Sequence, residues 1–221
     1  MPKKKARRAR SAKRRSNASA DGNRGVELIA PPDIVRLPPI ERRAVSDDWR
    51  ILDFTMQPQS EANWCWAAVG VGVVHFYDHA SDLNQCTLAS DQLGHDCCSS
   101  PDARDACDEP YRPLAKMLKR LDHLQLPPNR GHVRGALSFD EVREEIDKGR
   151  PVVAHLNFSE LWGHFVVIAG CNLRTRQVLI RDPAFDDGPL DYDTFRNHYL
   201  ATPHDDGGQW TISYRTVRHA D

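Results

Sequence analysis

The chain has no run of about 18 apolar residues, so no membrane-crossing helix is expected. Its richest stretch, Trp66 to Tyr77, is too short and includes His75. There is no internal repeat and no folded nucleic-acid motif. The 6 cysteines include no Cys-x-x-Cys knuckle, so the usual spacing of a structural zinc site is missing. The basic N-terminus is not followed by an apolar segment, which makes it a poor secretory signal. A cytoplasmic location, or export by a route other than Sec, is the expectation. No cofactor or metal is expected.

What is present fits one globular domain with an attached tail. The chain has 221 residues, 40% hydrophobic and 28% charged, with a formal net charge of -1. That balance hides an asymmetry. Residues 1–25 hold ten Lys or Arg and one acid, Asp21, a net of +9. The rest of the chain carries 20 bases and 30 acids. The first segment lacks aromatic and branched apolar residues, cannot bury a core and is expected to be disordered. It is either a solvated tail or a contact for a polyanion. Residues 26–47 form a Pro-rich connector, expected to be extended. The folded domain is placed at 48–221.

Helical patterning starts at Asn63, a candidate N-cap, and continues through Trp66, Val69, Gly70, Val73, Val74 and Tyr77. The helix is apolar on most sides and should be buried. A second helix is expected over Pro110 to Asp122. A third should start at Ser138, where Ser-Phe-Asp-Glu fits a capping box with Glu141, and stop at Gly149 and Pro151. Four stretches then read as strands: Val152–Phe158, His164–Ala169, Gln177–Asp182 and Gln209–Tyr214. Helices followed by strands indicate an α+β fold.

Cys65 stands near the expected start of the buried helix. Free N–H groups there carry partial positive charge and favour a thiolate, the reactive form of the side chain. A buried structural cysteine is the alternative, and the surrounding residues bear on the choice. Gln59, six residues earlier, can help to hold an oxyanion together with the Cys65 backbone N–H. Gln57 is a weaker candidate for that role. Among ten histidines, His164 opens an apolar strand after Gly163 and is the candidate base. His155, inside the preceding strand, is its nearest rival. Asp182 closes the following strand and can orient the imidazole. Asp182 also suits a strand-ending turn before Pro183.

Gln59, the Trp-Cys-Trp-Ala-Ala run, Gly163-His164-Phe165 and Asp182-Pro183 together resemble bacterial papain-like cysteine peptidases. The nearest likeness is to the group containing type III effector proteases of plant pathogens. A more distant one is to bacteriocin-processing peptidases that cut after double Gly. The likeness spans roughly Asp53 to Tyr214. It implies a two-lobed papain-like fold, helices in the N-terminal lobe and a twisted antiparallel sheet in the C-terminal one. Cys65 would lie on the helical side of the cleft and His164 on the sheet side. Papain has Asn where this chain has Asp182. Trp64 and Trp66 are candidate cleft walls, Trp66 equally a core residue.

Cys86, Cys97, Cys98 and Cys107 cluster in one stretch. A bridge between neighbours Cys97 and Cys98 is strained, which leaves two pairings, or a zinc set with unusual spacing. The resembled relatives imply two disulfides, and hence an oxidising destination. Cys171 reads as a packed residue. The expected activity is hydrolysis of a protein or peptide through a Cys65 thioester. Acyl transfer on the same residues is one alternative. A degenerate peptidase fold that binds polyanions through its tail is another.

Overall fold

The computed structural model describes residues 48–110, 113–125, 131–159, 162–185, 187–200 and 207–219. The expectations for segments 1–25 and 26–47 lie outside the described residues.

Seven strands make one antiparallel sheet: β1 Trp49–Ile51, β2 His132–Arg134, β3 Val152–Asn157, β4 Gly163–Asn172, β5 Gln177–Arg181, β6 Gly188–Asp191 and β7 Gln209–Arg215. The order is β2-β7-β3-β4-β5-β6, with β1 paired to β4. The four long strands fall where β-branched and aromatic residues concentrate. β1, β2 and β6 have three or four residues each and were not anticipated.

β4 organises the core. Phe165, Val167 and Ala169 join the apolar cluster on one face, and Val166 and Ile168 join the cluster on the other. This is the period of two that strand geometry imposes. Beyond Ile168 the pairing with β5 shifts by a residue, and Cys171 packs with the second cluster, as a bulge requires.

The first cluster is built on α1, Cys65–Tyr77, every residue of which is buried except His75 and Phe76. A helix with so few polar positions can be stable only inside the protein. Gly70 allows its close packing: a Cβ there would lie 2.6 Å from Met117 and 2.8 Å from Leu88. The expected cap is corrected. Trp64 precedes the helix, with no side-chain cap. Asn63 instead donates its N–H to Asp108 Oδ1 at 2.7 Å and its amide to Asp108 O at 3.1 Å. A tertiary contact has taken the side chain that local sequence offers to the helix.

α2, Gln85–Leu93, and α3, Pro101–Ala106, follow. Each begins on a capping side chain, Asn84 and Ser100 respectively. α4 runs Leu114–Arg120, shorter than the expected span, of which residues 111 and 112 lie outside the described residues. α5, Phe139–Asp147, has the anticipated capping box: Ser138 Oγ accepts from Glu141 N–H, and Glu141 Oε2 accepts from Ser138 N–H. Gly149 ends that helix region at φ +71. α6, Tyr192–Asn197, is capped by Asp191 and packs with α5 in the second cluster. The chain is thus α+β, with α1 on one face of the sheet and α5 and α6 on the other.

Candidate active site

Cys65 is the first residue of α1 and is 8% exposed. The first N–H groups of an α-helix have no acceptor within it. They therefore face outward at the point where the Cys65 sulfur sits. A cleft of about 260 Å³ opens there, bordered by Cys65, Asn63 and Trp66 on the helical side. His155, Asn157, Trp162 and His164 border it from β3, β4 and the turn between them. Trp64 is fully buried in the core, whereas Trp66 is buried and also borders the cleft.

His164 stands near the start of β4, paired with Leu156 of β3. Its Nε2 meets Asp182 Oδ1 at 2.8 Å, and the Cys65 side chain also favours the charged ring. With Nε2 engaged by the carboxylate, Nδ1 is the ring nitrogen left for the sulfur. Burial disfavours the imidazolium. The Asp182 charge, its hydrogen bond and the Cys65 sulfur outweigh burial and hold the His164 pKa up at about 10.

Asp182 lies just past β5 and is buried. Its Oδ1 also accepts the N–H groups of Ala184 at 2.7 Å and Phe185 at 3.0 Å, and Oδ2 accepts the Tyr199 hydroxyl at 2.5 Å. Burial works against its charge, but His164 and these donors keep its pKa below the ordinary carboxylate value. Tyr199 is driven well above the usual phenol range, first by burial and then by the Asp182 charge, so it stays a neutral donor.

The structure therefore brings together Cys65, His164 and Asp182. Gln59 is placed differently from an oxyanion donor. Its Nε2 donates to Glu61 O at 2.9 Å and to Ala62 O at 2.6 Å, which stitches the turn ahead of Cys65. Its backbone N–H donates to Pro183 O at 2.8 Å, tying this turn to the segment after Asp182. His155 borders the cleft, but its Nδ1 lies 3.2 Å from Thr211 Oγ1. Asp187 folds the turn around Asp182: Oδ1 accepts the Asp182 N–H at 2.9 Å and Oδ2 accepts Arg181 Nη1 at 2.9 Å. Asp186 lies outside the described residues.

Tyr199 escaped sequence reasoning. Its surroundings, Asn-His-Tyr-Leu, form no motif, and its pairing with Gly208 through two backbone hydrogen bonds is visible only in the fold. Cys86 pairs with Cys98 and Cys97 with Cys107, one of the two arrangements left open. His95, Cys97 and Cys107 converge within 4.8 Å, but both sulfurs are bonded to each other, leaving no thiolate to bind zinc. Cys171 is buried, which raises its pKa to about 11. No described helix is long and apolar enough to cross a membrane.

A family model described as Peptidase_C39 like family matches residues 51–205, more than half of the chain. No curated protein matches it.

Proposed function

This chain belongs to the Peptidase C39-like family, a papain-like cysteine peptidase family, and on that premise we propose that it hydrolyses peptide bonds with Cys65 as nucleophile. His164 acts as acid and base, and Asp182 orients it. The peptidase domain is assigned to 48–221, and its substrate is a protein or peptide. The observation that carries the reading is that His164, bound to Asp182 at 2.8 Å, borders the same cleft as Cys65 at the head of α1.

The residues support a chemically complete cycle. The Cys65 thiolate adds to the carbonyl carbon, and the Cys65 N–H at the head of α1 donates a hydrogen bond to the developing oxyanion. His164 gives its proton to the leaving amine, the C–N bond breaks and a thioester remains. Neutral His164 then takes a proton from water, whose oxygen attacks the thioester. Collapse of that intermediate returns the sulfur and the imidazolium. Throughout, Asp182 accepts a hydrogen bond from Nε2–H, which fixes the ring's orientation and opposes its positive charge. Gln59 joins the oxyanion site only after its amide turns from the carbonyls of Glu61 and Ala62. The basic segment 1–25 serves as a contact for polyanions, separate from catalysis.

The test is digestion of an unbiased peptide library, with products read by mass spectrometry. Wild-type protein should cleave a defined subset, and Cys65→Ala should cleave none while melting at a similar temperature. Undiminished turnover by Cys65→Ala would end the assignment.

A further inference from the structure

The start of α1 is held from outside the helix. It has no side-chain cap and no acidic residue in its first turn. Instead, three successive residues, beginning with Cys107 of the Cys97–Cys107 disulfide, bind the residues around the nucleophile. Cys107 O accepts Trp64 Nε1 at 2.8 Å, and Glu109 O accepts Trp66 Nε1 at 3.0 Å. Between them, Asp108 Oδ1 accepts the Asn63 N–H at 2.7 Å and Asp108 O accepts the Asn63 amide at 3.1 Å. These four bonds grip residues 63, 64 and 66, on both sides of Cys65. The next residue, Pro110, borders the cleft.

The grip is rigid on its own side. Cys97, Cys107, Trp64 and Trp66 are all fully buried. Cys107 and Asp108 also donate their N–H groups to Arg104 O at 2.9 Å and Asp105 O at 3.2 Å, the closing bonds of α3. That helix has only six residues and no buried side chain, so its own packing anchors the loop weakly. The disulfide is the covalent tie between this loop and the chain preceding α3. The other disulfide, Cys86–Cys98, joins α2 to the residue after Cys97 and does not include the 107–110 loop.

We propose that Asp108 is a positioning residue for the nucleophile, acting through Asn63, and that the Cys97–Cys107 disulfide keeps its loop in place, so that reducing this bond lowers turnover. The inference rests on the assignment of Cys65 as nucleophile. In the reductive step the Cys97–Cys107 sulfur–sulfur bond breaks and two thiols form. An external dithiol supplies the two electrons and two protons and itself closes to a disulfide. Cys65 keeps its thiol. The turn carrying it loses its outer support, and the sulfur moves relative to His164 and the carbonyl it must reach. Displacement of about 1 Å at a reacting group can cost about a hundredfold in rate.

The experiment uses the full chain with two readouts: kcat and KM on a cleaved library peptide, and the rate at which iodoacetamide alkylates Cys65. The alkylation needs no peptide substrate, so it decides this inference even if no peptide is cleaved, an outcome that would instead defeat the peptidase assignment. Asp108→Ala and the paired Cys97→Ser, Cys107→Ser variant should each lower kcat and alkylation by about tenfold or more, with KM within about twofold. Asp108→Asn keeps an oxygen for the Asn63 N–H and should recover most of the loss. The paired Cys86→Ser, Cys98→Ser variant should change neither readout. Normal alkylation and kcat in Asp108→Ala would overturn the proposal, as would failure of Asp108→Asn to recover, or an equal loss in the Cys86, Cys98 variant. If the Cys97, Cys107 variant does not fold, wild type titrated with a dithiol replaces it. A kcat that falls as Cys97 and Cys107 become free thiols supports the mechanism, and full kcat with both reduced overturns it.

Discussion

Replacing Asp182 by Asn and by Ala separates its support of the fold from its action on His164. Four donors converge on this buried side chain: His164 Nε2, the N–H groups of Ala184 and Phe185, and the Tyr199 hydroxyl. Alanine leaves all four without an acceptor. One such buried group costs about 1–3 kcal/mol, and breaking a buried ion pair costs about 3–5 kcal/mol. Whole domains are stable by only about 5–15 kcal/mol. Asp182→Ala is therefore expected to melt far below wild type, and its low activity would say little about mechanism.

Asparagine keeps the geometry. Its oxygen at the Oδ1 position still accepts from His164, Ala184 and Phe185, and its amide can donate to the Tyr199 hydroxyl, which reverses its role. What disappears is the charge. The destabilisation should be about 1–2 kcal/mol, the difference between charged and neutral hydrogen bonds. The imidazolium loses its counter-charge, so kcat should fall about 10- to 100-fold, with KM changed little.

The pH dependence carries the sharper test. Asp182 is what raises His164 to about 10 against burial, so without its charge His164 should fall back toward or below an ordinary value of about 6.5. The alkaline limb of kcat/KM then moves to lower pH. A histidine raised on folding contributes stability that is complete below about pH 6.5 and is lost as pH rises through about 10. Asp182, lowered on folding, contributes above about pH 3.9 and loses its contribution as pH falls. The melting difference between wild type and Asp182→Asn should thus be largest between about pH 4 and 6.5 and should shrink toward pH 10. Rate profiles and thermal melts over that range measure both. A wild-type alkaline limb and kcat in Asp182→Asn would refute the orienting role.

Tyr199→Phe removes the donor to Asp182 Oδ2. Stability should drop by about 1–3 kcal/mol, and the acid limb of kcat/KM should move to higher pH as Asp182 loses one of the bonds that depress its pKa; an unmoved acid limb would count against this coupling. Gln59→Ala should lower kcat about 100-fold if the amide reaches the oxyanion. A lower melting temperature with normal kcat would leave Gln59 as the staple of the turn at Glu61 and Ala62. Deleting residues 1–25 should leave kcat unchanged and abolish retention on heparin at low salt, given their +9 charge; equal retention of both forms would reject the polyanion contact.

Elements whose reasons are local were legible. The capping box at Ser138 and Glu141 lies within four residues, and α5 starts beside it. The long strands carry their own β-branched signature, and all four appear within a few residues of the expected bounds. α2 and α3 carry little such signal. α3 is six residues with no buried side chain, and α2 buries only Gln85, Leu88 and Ala89. Cross-linking through Cys86–Cys98 and Cys97–Cys107 makes up for weak apolar patterning, and no periodicity rule sees a cross-link. Asn63 marks the same boundary. Its cap propensity is real, but Asp108, 45 residues away, binds it first.

The site divides along the same line. Cys65 at a helix start, His164 at a strand start and Asp182 at a strand end are each positioned by an element whose limits are written nearby. Their supports act across the fold. Asp187 shows why residue type alone could not choose among neighbouring acids. Its carboxylate accepts from the Asp182 N–H and from Arg181, and so closes the turn whose N–H groups at Ala184 and Phe185 point at Asp182 Oδ1. One acid folds the loop and the other faces the imidazole. The choice between them follows from β5 ending at Arg181 beside β4, since only the residue immediately past that end stands within 2.8 Å of His164. Moving the carboxylate from 182 to 187 would exchange a buried acceptor held by four donors for a partly exposed one. The carboxylate charge and its hydrogen bond would then no longer offset burial and keep the imidazole charged.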